Sequence, residues 1–246
     1  MTDTAPFLIL TRRRTGGTSL AAFLSRISPL PTAQHEPFNT GRVWHGVSAR
    51  FAAHGDTEQL RQDIRALIAK SQNIKHCFDV GPRGLATVLT DICAEAGYRI
   101  ILLTRANEVD RQMSLAIAQA TGAWGARQAA TLYPPILAGE TVLPPLPVKR
   151  VLDQARRDGL ALMDILSHLR VRHIAHDWLI FEEIYSSTAD LRRTALQLAQ
   201  TLGLTLEDTD PRLDALAGRG GQNSARIEDF LPNATETRSA LQAICG

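Results

Sequence analysis

The sequence is poor in lysine and aromatic residues, and it has little net charge. Of its 27 basic residues only Lys70, Lys75 and Lys149 are lysines, which leaves 24 arginines. The formal net charge of +2 is too small to indicate nucleic acid or a membrane surface as a partner. Arginine suits bidentate capture of phosphate and carboxylate groups, although genome composition would also favour it.

Long apolar runs and regularly spaced cysteines are also missing. The apolar runs fall far short of the roughly 18 residues that a membrane-spanning helix needs, and the N-terminus shows no signal-peptide pattern. Cys77, Cys93 and Cys245 are odd in number and widely spaced, which excludes a disulfide framework and a CxxC metal site. We therefore expect a cytoplasmic protein with no integral membrane segment.

Short apolar runs alternate along the chain with segments of helical apolar spacing. This alternation predicts an α/β protein, with three α/β/α layers around a central parallel sheet, in a single domain over residues 1–246. Residues 125–175 are expected to form a helical and loop insertion that shapes an acceptor pocket. Loops are expected over 28–55, over 134–147 and in the tail from about residue 209. The predicted strands lie at 7–10, 74–80, 99–104 and 177–181, and the predicted helices lie near 18–27, 60–68, 85–92, 109–120, 148–172 and 188–202.

The most informative segment, Arg12-Arg13-Arg14-Thr15-Gly16-Gly17-Thr18-Ser19, connects the first strand to the first helix. Adjacent glycines let the backbone curl around a ligand, and the amide groups that begin a helix attract an anion. The segment predicts a phosphate site, with an ordinary helix N-cap as the alternative. It is not a Walker A loop, because Thr18 follows Gly17 where that motif requires lysine.

This segment resembles the phosphosulfate-binding loop of sulfotransferases that use 3′-phosphoadenosine-5′-phosphosulfate (PAPS). The family pattern is Pro-Lys-Thr-Gly-Gly-Thr-Ser, and here Arg13 stands at the proline and Arg14 at the lysine. The resemblance implies a P-loop type of nucleotide-binding fold and a catalytic Arg14 that steadies the leaving oxygen. It implies that PAPS is bound by Arg13, Arg14, Thr15, Gly16, Gly17, Thr18 and Ser19.

A second segment resembles the site at which the same family holds the 3′-phosphate of the cofactor. Arg105 follows a predicted strand and Ser114 lies on the next helix, at a spacing of nine positions, one more than is usual in the family. Because of this spacing, Arg111 is a candidate to share the work of Arg105. Arg219, in a glycine-containing loop, is a further expected 3′-phosphate ligand. The stretch from Ser114 to Trp124 resembles bacterial trehalose and glycolipid sulfotransferases, which places Trp124 at a sugar or the adenine, with packing as the alternative.

The group that accepts the proton is sought in the long loop after the first helix. The segment from His35 to Asn39 resembles the one in which glycolipid sulfotransferases place their catalytic glutamate, so Glu36 is the first choice. His35 and His45 compete, because neutral imidazole is well matched to proton transfer near pH 7. His45 is also a candidate for the substrate pocket, together with Trp124. The chemistry demands no metal.

The sequence thus predicts a PAPS-dependent sulfotransferase that acts on a hydroxyl of a carbohydrate or glycolipid acceptor. Two alternatives stay open. One is an ATP-dependent small-molecule kinase with a degenerate P-loop, for which Asp79 is the only candidate magnesium ligand. The other is a nucleotide-binding protein without catalytic activity. Whether the protein forms a homodimer is also left open.

Overall fold

A computed structural model of the chain describes residues 4–217 and 223–245, which form two compact units. The first unit takes its described residues from Met1–Thr104 and Leu160–Ala217. The second takes them from Arg105–Gly159 and Gly218–Gly246. The bounds of the helices are α1 Gly17–Ile27, α2 His45–His54, α3 Thr57–Ile68, α4 Leu85–Glu95, α5 Glu108–Thr121, α6 Ala126–Leu137, α7 Val148–Val171, α8 Phe181–Ile184, α9 Thr188–Thr201, α10 Pro211–Ala217, α11 Ala225–Glu228 and α12 Ala234–Cys245.

The first unit contains a four-stranded parallel sheet in the order β2-β1-β3-β4. The central strand β1 pairs with both of its neighbours, so that Leu8 lies between Ile74 and Ile100. The predicted parallel sheet is therefore confirmed, with strand ends that differ from the expected ones by up to three residues. The strands are β1 Phe7–Thr11, β2 Ile74–Cys77, β3 Arg99–Thr104 and β4 His176–Ile180.

Helices cover both faces of this sheet, because the strand residues that point to either side are apolar. Leu8 and Leu10 pack on one side against α3, α4 and the last part of α7. Phe7 and Ile9 point the opposite way and pack against α1, α9 and α10. These layers confirm the predicted α/β/α arrangement for the first unit. Because all four strands run parallel, their carboxyl ends lie at one edge of the sheet.

The second unit is helical and has a core of its own. Apolar side chains of α5, α6, α12 and the first part of α7 contribute to it, among them Ile117, Tyr133, Val151 and Leu241. Asn233 precedes α12 and exchanges two hydrogen bonds with the backbone of Leu146, at 2.7 and 2.9 Å. The second unit includes most of the predicted insertion over residues 125–175.

Three regions that were expected to be loops contain helices. Helix α2 lies inside the predicted 28–55 loop, where its fully buried residue is the polar Ser48, so apolar spacing does not reveal it. Helix α6 continues through Pro134 and Pro135. In the tail, α12 buries Thr237 and Leu241. Within residues 4–217 and 223–245, none of the helices is both long and apolar enough to span a membrane.

Candidate active site

The turn between β1 and α1 lies at the carboxyl edge of the sheet, where the sequence predicts a phosphate site. Arg14 and Gly16 have left-handed backbone conformations, with φ values of 67° and 77°. The hydroxyl of Thr15 donates a hydrogen bond to the carbonyl of Arg12 and so closes the turn from inside. The Thr15 side chain is therefore engaged in holding the loop in shape.

Gly16 is required by its surroundings as well as by its backbone conformation. A Cβ atom at this position would lie 2.9 Å from the rings of both Phe181 and Tyr185. The Tyr185 hydroxyl also donates a hydrogen bond of 3.2 Å to the Gly16 carbonyl. Phe181, the first residue of α8, and Tyr185, which follows α8, thus support the glycine turn. Sequence analysis gave this segment no role in the site.

The first turn of α1 presents backbone amide groups at the same place. Gly16 is the N-cap residue and has no side chain with which to cap them. Gly17 opens the helix where a Cβ atom would lie 2.9 Å from Thr11 and 3.3 Å from Cε of Lys75. A helix N-terminus of this kind, beside a lysine side chain, has the charge and the donors for a phosphate or sulfate group.

Arg13 is held in place by an acidic residue that follows β2. The backbone amide of Arg13 donates to Asp79 at 3.0 Å, and its Nε donates to the other carboxylate oxygen at 2.8 Å. The Asp79 side chain is inaccessible to solvent. Asp79 therefore fixes the start of the glycine turn.

Lys75 is a residue of the site that sequence analysis missed. It lies on β2 with Ile9 of β1 as its register partner, on the face of the sheet that α1 covers. Its side chain is buried, and its ammonium group forms an ion pair with Glu36. Burial alone would lower the pKa of Lys75, but neighbouring Cys77 and Glu36 outweigh burial and raise it, so the ammonium group stays charged. The sequence did contain one signal for Lys75, because a lysine is unusual within a strand that is otherwise expected to be buried.

Glu36 lies in the loop after α1 and has a left-handed backbone conformation with φ of 50°. One carboxylate oxygen receives the Lys75 ammonium group and, at 3.1 Å, the Cys77 thiol, while the other accepts a 2.6 Å hydrogen bond from Asn39. Burial alone would raise the pKa of Glu36, but Lys75 and the hydrogen bonds lower it to about 2. Glu36 is therefore an ionised, almost fully engaged carboxylate.

His35 is the neighbouring side chain with access to solvent, since 41% of its side-chain surface is exposed. Its Nε2 lies 3.1 Å from the Thr18 hydroxyl, 3.4 Å from the Lys75 ammonium group and 3.8 Å from a Glu36 oxygen. Partial burial, followed by the charges of Lys75 and Arg42, lowers the pKa of His35, while Glu36 opposes them. His35 is neutral at pH 7 as a result.

The fold thus brings Thr18, His35, Glu36 and Lys75 together at the N-terminus of α1. We use the name base cluster for His35, Glu36 and Lys75. His45 begins α2, and its Nδ1 is buried without a hydrogen-bond partner among the described residues. Sequence resemblance pointed to Glu36 and imidazole chemistry pointed to His35, whereas Lys75 is identified only by the pairing of β2 with β1.

Of the remaining predicted site residues, Ser19 is half-buried in the first turn of α1, whereas Arg105, Ser114 and Trp124 belong to the second unit. Ser114 is nearly buried on α5, and its hydroxyl accepts a 2.9 Å hydrogen bond from Ser224. Arg105 is half-buried just after β3, and Trp124 is 45% exposed before α6. Arg219 lies outside the described residues.

Arg111, the candidate to share the work of Arg105, is fully buried in the second unit. It binds Glu108 at 2.7 Å and Asp158 at 2.5 Å. Burial would lower the pKa of Arg111, but these two carboxylates outweigh burial and raise it. The Arg111 charge is therefore paired with carboxylates inside the second unit.

Comparison with known proteins gave matches among solved structures. No protein-family model and no curated protein matches the chain. The sulfotransferase domain of the Synechococcus PCC 7002 olefin synthase is 12% identical, with 98% of this chain and 97% of that chain covered and a TM-score of 0.39. The sulfotransferase domain from the curacin biosynthetic pathway is 13% identical, with coverages of 97% and 98% and a TM-score of 0.45. Both the sequence identities and the TM-scores of these two structures are low.

Proposed function

We propose that this protein is a PAPS-dependent sulfotransferase that acts on a hydroxyl group of a carbohydrate or glycolipid. One observation carries the proposal: a glycine turn at a helix N-terminus lies directly beside the base cluster. The turn can bind an anionic leaving group, and the cluster contains two groups able to accept a proton. Both are needed when a sulfonate moves to an alcohol.

The residues of the turn fit the phosphosulfate end of PAPS. A Cβ atom at Gly16 or Gly17 would come within 2.9 Å of a neighbouring side chain, so packing requires glycine at both positions. An anion at this helix N-terminus would meet backbone amide groups. Arg14 supplies a fixed positive charge and Thr18 an exposed hydroxyl. PAPS, when bound, would supply the activated sulfonate. An arginine stays protonated, so Arg14 stabilises charge on the leaving oxygen and does not donate a proton to it.

The rest of the cofactor is assigned by resemblance to residues of the second unit. Arg105 and Ser114 would bind the 3′-phosphate, with Arg219 as a further ligand. Residues 125–175, His45 and Trp124 would shape the acceptor pocket. An activated nucleotide donor of this kind is consistent with a cytoplasmic enzyme. These assignments are part of the proposal.

Isothermal titration with 3′-phosphoadenosine-5′-phosphate tests the cofactor site. Arg14→Ala removes a charge-assisted contact and should weaken binding about tenfold or more. Arg14→Lys restores the family residue and should keep most of the affinity. Arg65→Ala is the matched control, because Arg65 is half exposed and pairs with Glu95 on the surface. Equal affinity in wild type, Arg14→Ala and Arg65→Ala would refute the site.

The kinase alternative is disfavoured by the surroundings of Asp79, which is engaged twice by Arg13. Preferential binding of ATP with magnesium would nevertheless restore that alternative. Binding of 3′-phosphoadenosine-5′-phosphate without sulfonate transfer to any alcohol or sugar would identify an inactive nucleotide-binding protein.

A further inference from the structure

Both oxygens of Glu36 are occupied, which matters for its role as a base. Lys75 and Cys77 donate to one oxygen and Asn39 donates to the other. Only 15% of the Glu36 side chain is exposed. A carboxylate with three donors and a strongly lowered pKa is a weak proton acceptor, because a general base works best with a pKa near the working pH.

His35 has the opposite properties. It is exposed to solvent, and its Nε2 faces the Lys75 ammonium group at 3.4 Å. An ammonium group has donors only, so the nitrogen that faces it must be the one that carries the lone pair. The neutral ring then carries its proton on Nδ1. The Thr18 hydroxyl, 3.1 Å from the same nitrogen, can donate to that lone pair until an acceptor hydroxyl replaces it.

We propose that Lys75 is a positioning residue that pairs with Glu36 and holds the lone pair of His35 on Nε2, so that His35 and not Glu36 accepts the proton. The inference rests on the proposed function, since it divides the roles within that reaction. As the acceptor oxygen bonds to sulfur and the sulfur–phosphate oxygen bond breaks, the acceptor's proton passes to Nε2. From the exposed imidazolium it passes on to water. The Lys75 charge opposes a stable imidazolium and so favours this release.

The charges around His35 define what removal of Lys75 should do. Lys75 on β2 and Arg42 in the same loop disfavour protonation of His35, and Glu36 favours it. Thr18 on α1 is uncharged. Lys75→Met keeps the length of the side chain and removes its charge, so it leaves Glu36 as the dominant charged neighbour. In the double variant Lys75→Met with Glu36→Gln both charges are gone, and no unpaired charge stays buried.

Nitrogen-detected NMR of the imidazole rings tests the arrangement in the free protein, with His35→Gln to assign the signals. Wild type should show neutral His35 with its proton on Nδ1. In Lys75→Met the pKa of His35 should rise, and in the double variant it should rise less. Lys70→Met, which removes an exposed lysine charge, should leave the His35 signals unchanged. A proton on Nε2 in wild type, or no pKa change in Lys75→Met, would overturn the proposal.

Transfer of labelled sulfonate from PAPS tests the division of roles, with a panel of free sugars and with water as acceptors. His35→Gln should lower the rate about a thousandfold. The double variant should lose about tenfold, the size expected when a supporting residue is removed. The acidic limb of the kcat/KM profile should move to higher pH in Lys75→Met. A double variant as inactive as His35→Gln, with cofactor affinity intact, would make Glu36 the base and overturn the proposal.

Failure of the proposed function has a different signature. Wild-type protein that neither binds 3′-phosphoadenosine-5′-phosphate nor transfers sulfonate would refute that function, and with it the reaction assigned to His35. The NMR result on the free protein would still decide whether Lys75 fixes the His35 tautomer. If Lys75→Met alone does not fold, the double variant decides both measurements.

Discussion

His76 should make the protein sensitive to mild acid. It lies on β2 and points away from Lys75, toward Phe38, whose ring centre is 5.6 Å away. The residue is 1% exposed, and within residues 4–217 and 223–245 its Nδ1 has no hydrogen-bond partner. Burial lowers the pKa of His76 to about 4; Glu36 opposes this shift and Lys75 adds to it. Folding therefore keeps this ring neutral.

The sign and size of the effect follow from proton linkage. The pKa of His76 is about 4 when folded and about 6.5 when unfolded, so the unfolded chain binds the extra proton first as the pH falls. The contribution of neutral His76 to the free energy of unfolding is fully present above the unfolded-state pKa. It decreases as the pH falls below that pKa and is lost near the folded-state pKa. At 1.36 kcal/mol per pKa unit, the full loss is about 3 kcal/mol, of which about 2 kcal/mol falls between pH 7 and pH 5.

Urea unfolding of wild type and His76→Leu at pH 7, 6 and 5 measures this loss. Leucine has a similar volume and does not titrate, so His76→Leu should lose about 2 kcal/mol less than wild type between pH 7 and pH 5. Glu36 stays ionised across this range because its pKa is about 2. His54→Gln, a change at an exposed histidine, should keep the wild-type pH dependence. Parallel stability curves for wild type and His76→Leu would refute the reasoning.

Two further predictions concern the glycine turn and its anchor. Gly16→Ala should abolish binding of 3′-phosphoadenosine-5′-phosphate, because its Cβ would lie 2.9 Å from two aromatic rings. Gly41 has a similar φ of 75°, and no atom of the described residues lies within 4 Å of a Cβ atom built there. Gly41→Ala should therefore bind with wild-type affinity, and equal affinities in the two variants would contradict this role of Gly16. Asp79→Asn weakens the anchor of Arg13 and should lower the free energy of unfolding by about 2 kcal/mol, measured in urea. Loss of ATP–magnesium binding without loss of stability would instead identify Asp79 as a metal ligand.

Much of the first unit could be predicted from local patterns. A continuous apolar run such as Ile100 to Leu103 can only be buried on both faces, and helical spacing from Leu20 onward gives α1 its inner face. These patterns depend on neighbours in sequence, so they can be recognised without knowledge of the tertiary structure. Helix α2 was not predicted because its buried residue is the polar Ser48. Helix α12 was not predicted because it has few apolar positions.

In the candidate site, too, only the features that depend on neighbours in sequence could be predicted. The sequence by itself determined the glycine turn and the arginines beside it, and it limited the base to three candidates, His35, Glu36 and His45. Each of these features lies within a short contiguous segment. Only the tertiary structure decided what surrounds these residues. Because β2 pairs with β1, Lys75 lies beside Glu36 and forms an ion pair with it. The pKa of a carboxylate depends on charges a few ångströms away in space, and Lys75 stands 39 residues from Glu36 in sequence. For that reason the balance between Glu36 and His35 becomes visible only in the folded chain.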